Sequence, residues 1–92
     1  MKKIVMLLDM YEALDTNSYI SVAIKTSDMD SPEIIINPPS NIKPKMRYYS
    51  DAYNDSLELK SNKDVQIIAY AKGKSYEDVL VNIKDKIEGA IC

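Results

Sequence analysis

Asp28, Asp30 and Glu33 place three carboxylates within six residues, a density that raises the question of a bound cation. A calcium loop needs a longer ligand series and a glycine at its sharp turn, and neither is present. The three acids read instead as the solvated tip of a turn. Asp51, Asp55 and Glu58 form a second acidic group and read the same way. The chain has no histidine, which removes the usual general base, the Ser/His and Cys/His nucleophile pairs and the commonest metal ligand. Its two glycines, Gly73 and Gly89, lie too far apart for a phosphate-binding loop or a dinucleotide fingerprint. Gly73 reads as a turn residue and Gly89 as a break near the end of the last helix. Cys92 has no base near it in sequence, so it reads as an incidental thiol. No catalytic residue, no metal site and no cofactor is expected, and the chain reads as a non-enzyme.

What remains is the chemistry of contact. Tyr48, Tyr49 and Tyr53 stand beside Arg47, and exposed Tyr and Arg are over-represented at binding hot spots. On a helix, Met46, Tyr49 and Tyr53 share one face while Arg47, Tyr48 and Asp51 fall elsewhere. The plainer alternative makes Tyr49 and Tyr53 core and Tyr48 ordinary surface. Met6, Met10 and Ala13 form a second apolar stripe on the first predicted helix. Methionine adapts to irregular partners, and such a stripe requires a cover: a partner, a second copy, or another part of the fold. The interaction residues expected from sequence are therefore Met6, Met10, Arg47, Tyr48 and Asp51.

The elements that must carry these residues follow from periodicity. Apolar residues are 46% of the 92-residue chain and charged ones 28%, which suits one globular domain, 1–92, with a modest core. Lys2 to Asp15 reads as a helix, with Ile4, Leu7, Leu8, Tyr11 and Leu14 recurring at helical spacing and Leu7 and Tyr11 expected in the core; a short buried strand at Ile4–Leu8 is the competing reading. Tyr19 to Thr26 alternates as a half-buried strand, and Glu33–Asn37 returns it as a hairpin. The proline-rich stretch from Pro38 to Pro44 is a stiff connector, with Pro44 suited to open a helix from Lys45 to Tyr53. Leu57–Lys60 is an edge strand or irregular. Val65–Ala71 is an apolar strand broken by Lys72-Gly73-Lys74. Ser75 then caps a helix whose apolar stripe holds Tyr76, Val79, Leu80, Ile83, Ile87, Ala90 and Ile91. The expected fold is α+β, in the order α-β-β-α-β-α, with a small antiparallel sheet and helices mainly on one face.

Charge and cysteine usage narrow the class. The net charge is −2 with acids and bases interspersed, so no basic stripe marks direct, sequence-specific nucleic-acid binding. One cysteine cannot form an internal disulfide, and a reducing, cytoplasmic setting is expected. The run Ile4–Leu8 after Met1-Lys2-Lys3 is cut by Asp9, too short for a signal peptide. No stretch approaches the roughly 20 apolar residues of a membrane span.

Ile and Lys are abundant, Lys outnumbers the single Arg47, and Asn and Tyr are frequent. This usage resembles that of low-GC Gram-positive genomes. A mildly acidic chain of this size, without a catalytic motif, also resembles small accessory proteins of phages and prophages, including anti-CRISPR inhibitors. That resemblance, of size and composition alone, implies a phage-type protein that acts in the host-cell cytoplasm and binds and blocks a host protein or ribonucleoprotein complex. The alternatives from other classes are an oligomer that sequesters a small molecule or nucleotide signal, with Lys and Tyr as ligands, and a small phage structural or regulatory protein.

Overall fold

A computed structural model describes residues 2–91, the side chains of 90 and 91 excepted; Cys92 and the Ala90 and Ile91 end of the predicted apolar stripe lie outside what is described. The order is α1 (Lys2–Asp15), β1 (Tyr19–Lys25), β2 (Glu33–Asn37), a 3-10 turn (Pro39–Asn41), α2 (Ile42–Ala52), β3 (Glu58–Leu59), β4 (Asn62–Gly73) and α3 (Tyr76–Ile91). The helix reading of Ile4–Leu8 is the one that holds. All strand pairs are antiparallel, in the order β2-β1-β4-β3. This is the expected α+β domain.

The sheet is covered on both sides. Ile20 and Val22 of β1 join Met6, Met10 and Ala13 of α1, Ile42 and Tyr49 of α2, and Tyr53 just after α2 in one core. Ala23 of β1, with Ala69 and Ala71 of β4, packs against Ile83 and Ile87 of α3 in a second. Two helices thus share one face, as expected of the majority, and α3 fills the other. This is why β1, read from its alternation as half-buried, is buried from Ile20 through Ala23. The residues beneath α3 are small, which lets the helix lie close to the sheet.

Local chemistry sets the element ends. After α1, Asn17 adopts a left-handed φ of 56°. The Ser18 amide donates to the Ala13 carbonyl at 2.7 Å and the Asn17 amide to Leu14 at 3.3 Å, the pairing of a Schellman cap. At α3, the Asp78 amide donates to Ser75 Oγ at 3.1 Å, with Glu77 and Asp78 in the first turn where the helix dipole favours acids. Helix α2 starts earlier than predicted, at Ile42, because the first turn of a helix tolerates a proline without an amide to donate. Ile42 is thereby a core residue that the sequence reading missed. Strand β4 is also longer than predicted at both ends.

Gly73 is a strand residue with no positive φ, so its role as a turn residue is corrected. The glycine is required by close packing. An added Cβ would meet the Val79 amide nitrogen at 2.4 Å.

Candidate protein-contact surface

The sequence and the structure differ most over which stripe of α1 faces inward. Met6, Met10 and Ala13 are 0% exposed, in the core. Ile4, Val5, Leu8 and Tyr11 are 50%, 49%, 59% and 62% exposed. Met6 and Met10 are therefore withdrawn as contact residues, and Tyr11 is withdrawn from the core. Both stripes have helical spacing, and spacing alone does not say which one turns inward. Packing decides it. The interior beside α1 is lined by Tyr49 and Tyr53, whose rings lie 5.7 Å apart at an angle of 61°, and flexible thioether side chains fill irregular space around such rings.

Charged groups then hold α1 in this rotation. Lys3 Nζ donates to the carbonyls of Ser50 at 3.0 Å and Tyr53 at 2.9 Å, satisfying the end of α2 where a cation is favoured. On the other flank, Lys72 of β4 lies 3.0 Å from Glu12 and 3.7 Å from Asp9. Lys3, Asp9 and Glu12 thus tie the flanks of α1 to the body of the protein, with Ile4, Leu8 and Tyr11 turned outward. These three recur at i, i+4 and i+7, one continuous ridge on the outer surface.

Tyr49 of α2 and Tyr53 at its C-terminal cap are buried and Tyr48 is half-exposed, with its ring 5.4 Å from Tyr49 and 6.2 Å from Tyr53. Lys45 Nζ sits 5.6 Å from the Tyr48 ring centroid, a cation–π contact. Arg47, Tyr48 and Asp51 are exposed and lie on the same side of the sheet as α1. The structure therefore leaves these three on the surface and replaces Met6 and Met10 by Ile4, Val5, Leu8 and Tyr11. The one sequence signal for the replacement was that α1 carries more apolar residues than one core stripe uses.

The acidic groups do not converge. Asp28 accepts a hydrogen bond from the Thr26 hydroxyl, which, with a backbone hydrogen bond, holds its carboxyl below the ordinary value. Asp55 lies 4.0 Å from Lys3, while Glu58 accepts from Asn54 Nδ2 at 2.9 Å. Among the described residues, no group of three His, Cys, Asp or Glu is placed to hold a metal ion. Shallow clefts run along β4. One of about 490 Å³ is lined by Lys2, Leu57, Gln66, Ile68 and Tyr70, and one of about 330 Å³ lies between Asp9, Lys72 and Asn82.

The shifts in proton affinity near these clefts move away from neutrality. The hydrogen bond to Glu12 raises Lys72, and burial raises Tyr70. Lys72 is thus an ion-pair partner, held charged. Among the described residues no helix is long and apolar enough to cross a membrane. Compared with known proteins, the chain matches no family model, no curated protein and no solved structure.

Proposed function

We propose that this chain is a non-catalytic protein-binding module whose contact surface is the outer face of α1, Ile4, Val5, Leu8 and Tyr11, with Arg47, Tyr48 and Asp51 of α2 as accessory contacts. The observation that carries the reading is the exposure of four large apolar side chains on one helix, each about half open to solvent. Contiguous apolar patches of this kind mark interaction sites, and an amphipathic face of i, i+4 and i+7 anchors suits a hydrophobic groove on a partner. The ion pairs on both flanks of α1 pre-organise the face, so little ordering is required on binding.

The size and composition of the chain support a more specific reading. The module acts in the host cytoplasm as a phage-type inhibitor, covering a functional surface of a host defence complex such as a CRISPR effector. Leu8→Lys combined with Tyr11→Lys tests it. The variant is expected to keep the far-ultraviolet circular dichroism and melting of the parent and to lose the host complex captured by the parent chain. Capture of the same complex by a folded double variant would overturn the proposal.

A further inference from the structure

Two hydrogen bonds fix which way the peptide groups of the sheet point. The Ile67 amide donates to the Leu57 carbonyl at 2.9 Å, so it points away from β1, and its neighbour Gln66 faces Lys25. Peptide groups alternate sides along an antiparallel strand. Lys25, Ala23 and Ser21 therefore face β4, while Ile24, Val22 and Ile20 face β2. The other end of the sheet agrees. Lys72 pairs with Ile20, and its carbonyl accepts from Asn82 Nδ2 at 2.7 Å, on the side away from β1. Across the other ladder, Glu33, Ile35 and Asn37 are the partners of Ile24, Val22 and Ile20 and face back toward β1. The N–H and C=O groups of Ile34 and Ile36 thus point out of the sheet.

The two edges of the sheet are treated differently. On the β4 side, β3 covers one end, the β4 ladder with β1 is irregular between Ala23 and Ile24, and Asn82 occupies the Lys72 carbonyl. These are the devices by which proteins blunt an open edge. Strand β2 has none of them. It reads Glu33-Ile34-Ile35-Ile36-Asn37, with no lysine, no proline and no register shift against β1, and isoleucine is among the strongest strand formers.

We propose that β2 pairs with β2 of a second copy, antiparallel, about a twofold axis at Ile35. In this register Ile34 stands opposite Ile36 of the second copy, and each such pair exchanges both of its N–H···O bonds through the outward peptide groups. Ile35 meets its own symmetry mate in a close pair. Glu33 falls opposite Asn37, so no like charges face each other. Asn37 is buried, and its Nδ2 has no hydrogen-bond partner among the described residues; the pairing brings a carboxylate beside it. The two sheets join into one, with the α3 layers side by side. This surface is separate from the outer face of α1.

Sedimentation over a concentration series, with amide hydrogen exchange, tests the proposal. The expected result is a monomer–dimer equilibrium in which the Ile34 and Ile36 amides gain protection as the dimer forms. Ile36→Pro removes a donor that β1 does not use, and edge positions tolerate proline. It should weaken dimerisation by about tenfold or more, the scale of lost edge hydrogen bonds, while circular dichroism stays native. Ile34→Lys, which keeps every backbone group, should weaken it in the same direction. A monomer at all concentrations overturns the proposal, as does a dimer whose Ile34 and Ile36 amides exchange freely. A dimer abolished by Leu8→Lys with Tyr11→Lys, and untouched by Ile34→Lys, also overturns it and assigns self-association to α1.

Discussion

Gly73, at the end of β4, lies so close beneath the first turn of α3 that an added Cβ would sit 2.4 Å from the Val79 amide nitrogen and 2.7 Å from the Val79 Cα. Those atoms are backbone, and backbone cannot swing aside as a flexible side chain does. The contact lets α3 settle onto Ala23, Ala69 and Ala71 and close the second core.

Gly73→Ala is therefore expected to destabilise the domain by about 1–3 kcal/mol, the range for overpacking. Gly89, in the last turns of α3, has nothing within 4 Å of an added Cβ. Gly89→Ala should accordingly stabilise by roughly 0.5–1 kcal/mol through helix propensity. Urea denaturation of both variants checks the opposite signs. Equal effects would mean that the approach of α3 to Gly73 is not tight.

Alkaline pH should unfold the protein through its tyrosines. Burial raises the Tyr49 hydroxyl far above its ordinary value, and burial also raises Tyr53 and Tyr70. Lys72 is raised by its hydrogen bond to Glu12. In each case the folded state binds the proton more tightly than the unfolded state. That stability is fully present below the unfolded values, about 10 for tyrosine and about 10.4 for lysine, and is lost as pH rises through the folded ones. Tyrosinate absorbance and loss of circular dichroism should rise together above about pH 10. The Tyr49 hydroxyl is buried with no hydrogen-bond partner among the described residues. Tyr49→Phe should thus cost less than about 1 kcal/mol at neutral pH and move the alkaline midpoint upward. A large loss at neutral pH would show that the hydroxyl is paired.

Ile83 shows what periodicity could reach. The spacing of Val79, Leu80, Ile83 and Ile87 gave α3 its inner face, and Val79 and Ile83 are fully buried. Ile83→Ala should cost about 2–5 kcal/mol, whereas Val81→Ala, on the exposed side, should stay within about 0.5 kcal/mol. A small effect of Ile83→Ala in a thermal melt would show that this face is misplaced. Such periodic readings succeed where one side of an element is polar. They fail at Gly73 and β1, because the close approach of α3 is a property of two elements together. Ile42 was missed for a different reason: it lies four residues before Met46, in helical register with Tyr49 and Tyr53, but the proline-rich stretch reads as a connector up to Pro44, whereas the first turn of a helix accepts a proline. The chemistry-poor composition pointed to contact surfaces, but their location depends on how α1 is rotated, and that is set by Tyr49 of α2 and Tyr53 at its C-terminal cap.

The rotation of α1 can itself be tested with the stripe that sequence reading would have exposed. Met6 and Met10 lie in the core with Tyr49 and Tyr53. Truncating one large core side chain costs about 2–5 kcal/mol, and a lysine there adds the penalty of an unpaired buried charge. Set against the roughly 5–15 kcal/mol of stability typical of a domain, Met6→Lys with Met10→Lys should leave little folded protein at 25 °C. The matching pair on the outer stripe, Ile4→Lys with Leu8→Lys, should fold, since both side chains are about half-exposed. Circular dichroism and the cooperativity of urea unfolding separate the two. A folded Met6/Met10 variant beside an unfolded Ile4/Leu8 variant would place α1 in the opposite rotation and remove the basis for its outer face as a contact surface.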